Sequence, residues 1–146
     1  MIEFRSALKE ESAQLALISN ECGSDHWSES SFISEFDHNS IIECCECDGK
    51  IFAFAVVSVS FDEGYLHLIA VDSNYRKQGI ATKLLNRCEQ LAISRNVFKI
   101  ILDVRVSNES AINLYDKNGY TKICERKSFY SHPTENAFTM VKEFSK

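Results

Sequence analysis

Proline and glycine are scarce in this chain, which has one proline and five glycines among 146 residues. No Gly/Ser-rich or low-complexity stretch interrupts it, and no repeat recurs at a fixed period. A flexible linker between two domains would need such a stretch. We therefore expect residues 1–146 to form a single domain, which is long enough to bury a hydrophobic core.

Long hydrophobic runs are also absent. The apolar stretches are far too short to cross a bilayer. The first residues, MIEFRSALKEES, do not combine a basic segment with an apolar core, so they do not resemble a signal peptide. These absences predict a cytoplasmic protein with no membrane partner.

Positive charge is in deficit, because 16 Lys and Arg residues stand against 21 Asp and Glu residues and leave a net charge of −5. A nucleic-acid surface needs a basic stripe, so we expect no nucleic-acid partner. The acidity suits a cationic or amine-bearing substrate, although it also serves solubility alone.

Metal-binding spacings are missing as well. Cys44 and Cys47 form the one C-x-x-C pair among six cysteines, and a zinc site would need a second ligand pair. Disulfides would need a secretory context, which the sequence does not supply. We predict no metal, and we interpret the cysteines as small, half-buried strand residues. A metal or redox protein is the alternative.

What the sequence does contain is a regular succession of helix and strand patterns. Helical patterns cover Leu8–Glu21, residues 26–36, Gly79–Arg95 and a short segment after Asn108; strand patterns begin at Ile2 and cover Ser40–Cys47, Lys50–Ser60, Gly64–Val71, residues 97–106, Tyr120–Lys127 and Asn136–Phe144. The order β-α-α-β-β-β-α-β-α-β-β predicts an α/β fold (an α+β mixed sheet) with helices on both faces. The strand, helix and strand around residue 79 should form a right-handed parallel crossover.

Local signals support these elements. Asp48-Gly49 between two apolar runs predicts a tight hairpin. Ser28 can cap the second helix, and Ser107 or Asn108 can cap the last one. In residues 97–106 the apolar side chains alternate with polar ones, so one face of that strand is expected to be polar.

The stretch NYRKQGIATKLL, residues 74–85, places a glycine directly before the clearest helix. The first amides of a helix have no intrahelical partner and carry the positive end of its dipole. Gly79 would let a phosphate approach these amides, and Arg76 and Lys77 would add charge. Alternatively, Gly79 only turns the chain. Neither a P-loop nor a G-x-G-x-x-G fingerprint is present.

Two blocks in succession, LIAVDSNYRKQGIATKLL and ILDVRVSNESAINLYDKNGY, resemble the GCN5-related N-acetyltransferase family. Arg76, Gly79 and Ala81 match its R/Q-x-x-G-x-G/A signature, and Asn108 and Tyr115 match its second block. The resemblance covers the chain from about residue 27 to the C-terminus. It is closest to the subgroup that acetylates the N-terminal alanine of ribosomal proteins.

The resemblance implies an acetyl-CoA-dependent acyltransferase that passes the acetyl group directly to a primary amine, here a protein N-terminal α-amine of the ribosomal-alanine type. Direct transfer needs neither a metal nor an enzyme cysteine. The residues implied in binding acetyl-CoA are Ile69, Ala70, Val71, Arg76, Lys77, Gln78, Gly79, Ile80, Ala81 and Asn108. Two other functions stay open: acetylation of a small-molecule amine or amino acid, and regulation by CoA binding without turnover.

The resemblance also implies a catalytic base at position 103, where the subgroup has a glutamate and this chain has Asp103. The carboxylate is one methylene short, so it could act through a bridging water. Alternatively, Asp103 only pairs with a basic neighbour such as Arg105 or Lys99.

Tyr115 matches the proton donor of the family, and a phenol is a suitable acid for a departing thiolate. Without the motif, its helical spacing would make it a core aromatic. Trp27 and Tyr130 are predicted to line the acceptor groove. We interpret His67 as a structural residue on the strand face that holds Tyr65 and Ile69.

Overall fold

The computed structural model of the protein describes residues 1–22 and 26–144. Within that part the helices are α1 (Ser12–Cys22), α2 (Glu29–Asp37), α3 (Ile80–Ser94) and α4 (Glu109–Lys117). The strands are β1 (Ile2–Ser6), β2 (Ile41–Cys47), β3 (Lys50–Ser60), β4 (Glu63–Val71), β5 (Lys99–Arg105), β6 (Thr121–Tyr130) and β7 (Glu135–Glu143). The predicted order of elements is confirmed.

All seven strands belong to one mixed sheet with the order β1-β2-β3-β4-β5-β7-β6. The only parallel neighbours among the described strands are β4 and β5, as the helix between them predicts. Their pairing joins Glu63–Tyr65 to Lys99–Ile101 and extends no further. Beyond Tyr65 the two strands separate, so the sheet is split in its middle.

Helices cover both faces of the sheet, as predicted. Along β2, Ile41 and Cys45 belong to a core packed under α3, whereas Ile42 and Cys44 belong to a second core packed under α1 and α2. The alternation follows from the period of two along a strand. Because Leu102 lies in the α3 core, its neighbours on β5 face the α1/α2 side.

A β-bulge interrupts β4 at His67. Val56 and Val57 are adjacent on β3, but they pair with Leu68 and Leu66, so His67 is the extra residue. The bulge reverses the alternation, because Leu66 packs under α3 and Leu68 packs under α1 and α2.

The bulge corrects one expectation about β4. Ile69 packs against the α3 core, while the His67 ring lies 5.5 Å from the Trp27 ring and 4.8 Å from the Tyr65 ring. His67 therefore shares a face with Tyr65 but not with Ile69. Strict alternation predicted otherwise, since one extra residue shifts the register by one.

Two of the boundaries that differ from the sequence prediction have a visible cause. The first helix begins at Ser12 instead of Leu8, because Lys9–Glu11 forms a 3-10 turn in which the Leu8 amide donates to the Glu11 carboxylate at 2.9 Å. Strand β6 continues to Tyr130, where it pairs with Glu135. Residues 128–135 are rich in turn formers, and this pairing across strands is not visible in the local sequence.

Three of the six cysteines, Cys44, Cys45 and Cys88, are more deeply buried than expected, whereas Cys22 and Cys47 are half-buried and Cys124 is exposed. Cys44 and Cys45 are fully inaccessible, and burial raises the pKa of their thiols to about 12 and about 11. Among residues 1–22 and 26–144, no three potential metal-binding side chains cluster. No helix in the same part of the chain is long and apolar enough to cross a membrane.

Candidate active site

A cleft of about 790 Å³ opens where β4 and β5 separate. Its walls are the end of β4, the loop before α3, the first turn of α3 and one side of α4. The residues predicted to bind acetyl-CoA that line this cleft are Ile69, Ala70, Val71, Arg76, Lys77, Gly79, Ile80, Ala81 and Asn108. Gln78 is the one member of the predicted set that does not line it. The fold thus brings together residues from three separate segments.

The N-terminus of α3 opens into this cleft. Gly79 is its N-cap with φ 76°, and a Cβ at this position would point into open space. The amide of Lys83 makes the first intrahelical bond, to the Gly79 carbonyl at 3.1 Å. The three preceding amides have no carbonyl within the helix to bind. Together with the helix dipole they form a suitable site for a phosphate group.

Arg76 fixes the shape of the loop before α3. Its Nε donates to the Val71 carbonyl at 3.2 Å and its Nη2 donates to the Cys22 carbonyl at 3.4 Å. These bonds hold the loop to the ends of β4 and α1 while the guanidinium remains in the wall of the cleft. Lys77 is exposed and has φ 64°, so it adds a second positive charge on a tight turn.

The edge of β4 beyond Tyr65 has no paired strand on the β5 side within the described chain. Its other edge remains bonded to β3 as far as Val71. Backbone groups on the open edge can pair with an extended amide-containing chain, as in strand addition. Residues 69–71 on this edge form one wall of the cleft.

The helix α4 forms the opposite wall. Asn108 caps it, with Oδ1 accepting from the Ala111 amide at 3.2 Å. One side of α4 lines the cleft through Ser110, Asn113 and Lys117, which sequence analysis missed. Their spacing of three and four residues is the signal that could have identified them.

Tyr115 joins this cleft to a smaller one of about 60 Å³, because its side chain lines both. The residue is buried, and its ring centre lies 5.9 Å from that of Tyr120. The smaller pocket is also lined by His67, Asp103 and Tyr130. Both predicted catalytic residues therefore meet at the split between β4 and β5.

Asp103 is nearly buried, with 3% of its side chain exposed. The Tyr65 hydroxyl donates to Oδ2 and the Thr139 hydroxyl donates to Oδ1, both at 2.5 Å. Its cationic neighbour is Arg126, whose Nε lies 3.5 Å from Oδ1. These partners come from β4, β7 and β6, so no local pattern around residue 103 could reveal them.

The basic neighbours proposed for Asp103 pair elsewhere. Lys99 lies 3.3 Å from Glu63, and Arg105 lies 3.2 Å from Glu135. Both belong to β5 on the same face as Asp103, with Arg105 two residues and Lys99 four residues away, but each extends toward a carboxylate of its own. Asp103 therefore pairs with neither Lys99 nor Arg105, and the basic residue beside it is Arg126 of β6.

Two titratable groups beside Asp103 remain uncharged at neutral pH. Burial, together with the bond to Asp103, raises the pKa of Tyr65 well above its ordinary value. Burial lowers the pKa of His67, whose Nε2 is 2.8 Å from the Ser58 hydroxyl. A neutral phenol and a neutral imidazole can both relay a proton without carrying a net charge.

The predicted acceptor residues flank this pocket differently. The Tyr130 hydroxyl donates to the Asp103 carbonyl at 3.0 Å, so Tyr130 is part of the pocket. Trp27 lies outside the lining of both cavities and packs between Phe32 and His67. Its ring contacts the ring of His67, which lines the smaller pocket.

Comparison with known proteins points to one family. The sequence profile of the Acetyltransferase (GNAT) family matches residues 8–120. The [ribosomal protein bS18]-alanine N-acetyltransferase of Escherichia coli K12 is 36% identical over 104 residues, which are 71% of this chain and 70% of that protein.

Solved structures agree. The crystal structure of the ribosomal-protein-S18-alanine N-acetyltransferase from Escherichia coli superposes with a TM-score of 0.91 at 30% identity, covering 100% of this chain and 96% of that one. The PaiA N-acetyltransferase from Thermoplasma acidophilum, in complex with coenzyme A, superposes with a TM-score of 0.79 over 99% of both chains. At 16% identity, this second likeness concerns the fold alone.

Proposed function

The chain belongs to the Acetyltransferase (GNAT) family, and we propose from that premise that it acetylates a protein N-terminal amine, the acceptor being the N-terminal alanine of a ribosomal protein. It is an acetyl-CoA-dependent N-acetyltransferase. The observation that carries the proposal is the meeting of a glycine-headed helix, an open strand edge and the Asp103–Tyr115 pocket at one split in the sheet.

Acetyl-CoA would lie in the larger cleft. Its pyrophosphate fits the amides that follow Gly79, with Arg76 and Lys77 supplying positive charge. Its pantetheine arm carries amides that can pair with the open edge of Ile69–Val71. Asn108 and the exposed side of α4 would hold the arm from the other wall.

The acceptor amine must lose a proton before it attacks, because an α-amino group has a pKa of about 7.7–8.0. We assign Asp103 as the final proton acceptor. Since its side chain is almost buried, the Tyr65 hydroxyl serves as the relay: it takes the amine proton while its own proton moves to Asp103 Oδ2. The neutral phenol of Tyr65 suits this role.

Acyl transfer then follows in one complex. The amine nitrogen bonds to the thioester carbon, the carbonyl oxygen gains charge and accepts from the Val71 amide, and the carbon–sulfur bond breaks. Tyr115 donates its proton to the departing thiolate, the nitrogen of the new amide releases its second proton to solvent, and solvent reprotonates Tyr115. A phenol with an ordinary pKa of about 10 can protonate an alkyl thiolate, whose conjugate thiol has an ordinary pKa of about 8.5.

The acceptor would approach from the face of the sheet that carries Asp103, opposite α3. Tyr130 and Trp27 would flank its path, the latter through His67. A single domain covering residues 1–146 and a cytoplasmic location complete the proposal. One sheet containing all seven strands supports the first, and the bacterial relatives that modify a ribosomal protein support the second.

A thiol-release assay with acetyl-CoA and a panel of amines tests the proposal. The panel holds peptides with N-terminal Ala, Ser and Met, a lysine peptide blocked at its N-terminus, polyamines and free amino acids. We expect turnover on the alanine peptide. Turnover on small amines alone would show that the acceptor is a small molecule and not a protein N-terminus. Tight acetyl-CoA binding without any turnover would point to a regulatory module.

A further inference from the structure

Arg105, the last residue of β5, reaches across to the turn between β6 and β7. Its Nη1 donates to the Pro133 carbonyl at 3.0 Å, and its Nη2 donates to the Ser131 carbonyl at 3.4 Å. Its guanidinium carbon lies 4.4 Å from the centre of the Tyr130 ring. One side chain thus contacts three residues in and beside this turn.

The turn has few apolar contacts of its own. Residues 131–134 are all exposed, so hydrophobic burial contributes little to their position. Hydrogen bonds from a guanidinium to two carbonyls are charge-assisted and therefore stronger than neutral ones. Beyond the pairing of Tyr130 with Glu135 at its base, the turn is held by the bonds from Arg105.

Glu135 ties the same arrangement to the start of α4. Its Oε1 lies 3.2 Å from Arg105 Nη1, and its Oε2 accepts from the Ser107 amide at 2.8 Å. Arg105 and Glu135 are each 17% exposed, so water screens this pair less than an open surface pair. The pair joins the turn to the residue that precedes the cap of α4.

This arrangement borders the place where chemistry is proposed. Arg105 and Tyr130 line the small pocket together with Asp103 and Tyr115. The Tyr130 hydroxyl also binds the backbone carbonyl of Asp103. Tyr130, at the base of the turn, therefore forms a wall on the acceptor side of the pocket, and residues 131–134 adjoin this wall without lining the pocket.

We propose that Arg105 is a positioning residue for the acceptor: by holding the turn at residues 131–134, it keeps this wall in place before the amine arrives. The inference rests on the proposed function and deepens it. Because the wall is already ordered, acceptor binding does not lose the conformational entropy that ordering it would require. Arg105 therefore lowers the acceptor KM. Lysine cannot replace it, because an ammonium lacks the planar fork that reaches two carbonyls.

The test compares the wild type with Arg105→Lys and with Arg5→Lys as a matched control. Arg5 makes a forked pair with Glu11 and a second bond to Glu46 at the far edge of the sheet. We measure kcat, both KM values and Tm with an N-terminal alanine peptide, and amide hydrogen exchange of residues 131–134.

Arg105→Lys should raise the acceptor KM about tenfold, the loss expected from one or two charge-assisted bonds. The acetyl-CoA KM and kcat should stay within about twofold, and exchange in the turn should accelerate, because only the wall is loosened. Arg5→Lys should leave both KM values and the exchange of the turn unchanged. Arg105→Gln, a second variant that loses both the fork and the charge, should raise the acceptor KM at least as far.

An unchanged acceptor KM in both Arg105 variants would overturn the inference. Equal rises in both KM values, together with a lower Tm, would also overturn it, since they would show a general structural role. If the wild type acetylates no peptide, the proposed function fails and the inference falls with it. Normal wild-type turnover with no effect of either Arg105 variant would overturn the inference and leave the proposed function standing.

Discussion

Asp103 is held by hydroxyl groups from two other strands. The Tyr65 hydroxyl donates to Oδ2 and the Thr139 hydroxyl donates to Oδ1, and Arg126 also lies near Oδ1. A carboxylate that accepts two hydroxyls and remains 3% exposed cannot readily meet a substrate amine directly. The shortened side chain therefore makes Tyr65 part of the proposed proton path, in place of the bridging water considered from the sequence.

Replacing Asp103 by Asn should lower kcat/KM by about 100-fold or more, the usual contribution of a general base. Tyr65→Phe should cause a similar loss, and the double variant should be little worse than either, because the two groups act as a unit. Steady-state thiol release measures all three. If the losses in kcat/KM of the two single variants multiply in the double variant, the two residues act independently. If Tyr65→Phe leaves kcat/KM unchanged, Tyr65 is not part of the proton path.

Tyr115→Phe should lower kcat by about 100-fold or more, because the thiolate would leave without its proton donor. The equilibrium affinity for acetyl-CoA should change little, since the ring that lines both cavities is retained. Isothermal titration and single-turnover kinetics distinguish the two quantities. Parallel losses in affinity and rate would return Tyr115 to a packing role.

At the scale of elements, the site depends on how strands and helices end. A bulge at His67 reverses the alternation of side chains between the two faces of β4. The strand separates from β5 after Tyr65, and the loop that follows it leads into α3 at Gly79. The last two features expose backbone groups toward the larger cleft, and His67 lines the smaller pocket. A regular β4 paired along its length with β5 would have closed the cleft.

Gly79→Ala should weaken acetyl-CoA binding, because a methyl group would project from the α3 N-terminus into the cleft and the positive φ would be strained by about 1–2 kcal/mol. Gly49→Ala is its matched control: Gly49 has φ 80° and also has no atom within reach of a Cβ, but it lies in the β2–β3 turn. Both variants should lose Tm, and only the first should lose affinity in titrations with CoA. If both variants bind CoA with equal affinity, the phosphate does not bind at the N-terminus of α3.

Asn108→Ala should remove the cap of α4 and cost about 1 kcal/mol of unfolding free energy. Ser28→Ala removes the cap of α2, where the Ser31 amide donates to the hydroxyl at 3.2 Å, and should cost a similar amount. Chemical denaturation measures both. The acetyl-CoA KM should rise for Asn108→Ala alone, since α4 forms a wall of the cleft; a rise in both variants would indicate a global effect.

At the scale of the whole molecule, the split sheet gives two substrates separate access routes, one from each face, to the place where β4 and β5 part. The larger cleft lies between the end of β4, α3 and α4, whereas Asp103 and Arg105 face the other side of the sheet. Tyr115 borders both cavities. Two substrates can therefore enter from different directions and meet where the strands part.

The protein should lose stability as pH rises from about 9 to 12. Burial raises the pKa of the Cys44 and Cys45 thiols to about 12 and about 11, above the unfolded value of about 8.5, and Tyr65 and Tyr120 shift in the same direction. A group whose pKa is higher in the folded state than in the unfolded state stabilises the fold fully at pH values below its unfolded pKa. This stabilisation is lost as the pH rises through the folded pKa.

Thermal unfolding at pH 8 and pH 10.5 measures this loss. Cys44→Ala should have a lower Tm at pH 8, because it leaves a cavity, but a smaller further fall at pH 10.5, because one buried thiol no longer titrates. An equal or steeper fall would show that Cys44 does not contribute to the pH dependence.

By itself, the sequence determined the order of elements, the hairpin at Asp48-Gly49, the cap at Ser28 and the glycine at the head of α3. These features depend on neighbours within a few residues, so propensity and spacing reveal them. Nine residues that line the larger cleft could be named because they belong to two contiguous motifs, although Ser110, Asn113 and Lys117 were missed.

Only the tertiary structure decided what surrounds Asp103 and what holds the acceptor side. Tyr65, Thr139 and Arg126 approach it from three strands, and Arg105 secures a turn 26 to 28 residues away in sequence. The bulge at His67 is equally hidden, because an extra residue on one strand is defined only by its partner. Contacts between strands depend on register and sheet order, which no local pattern contains.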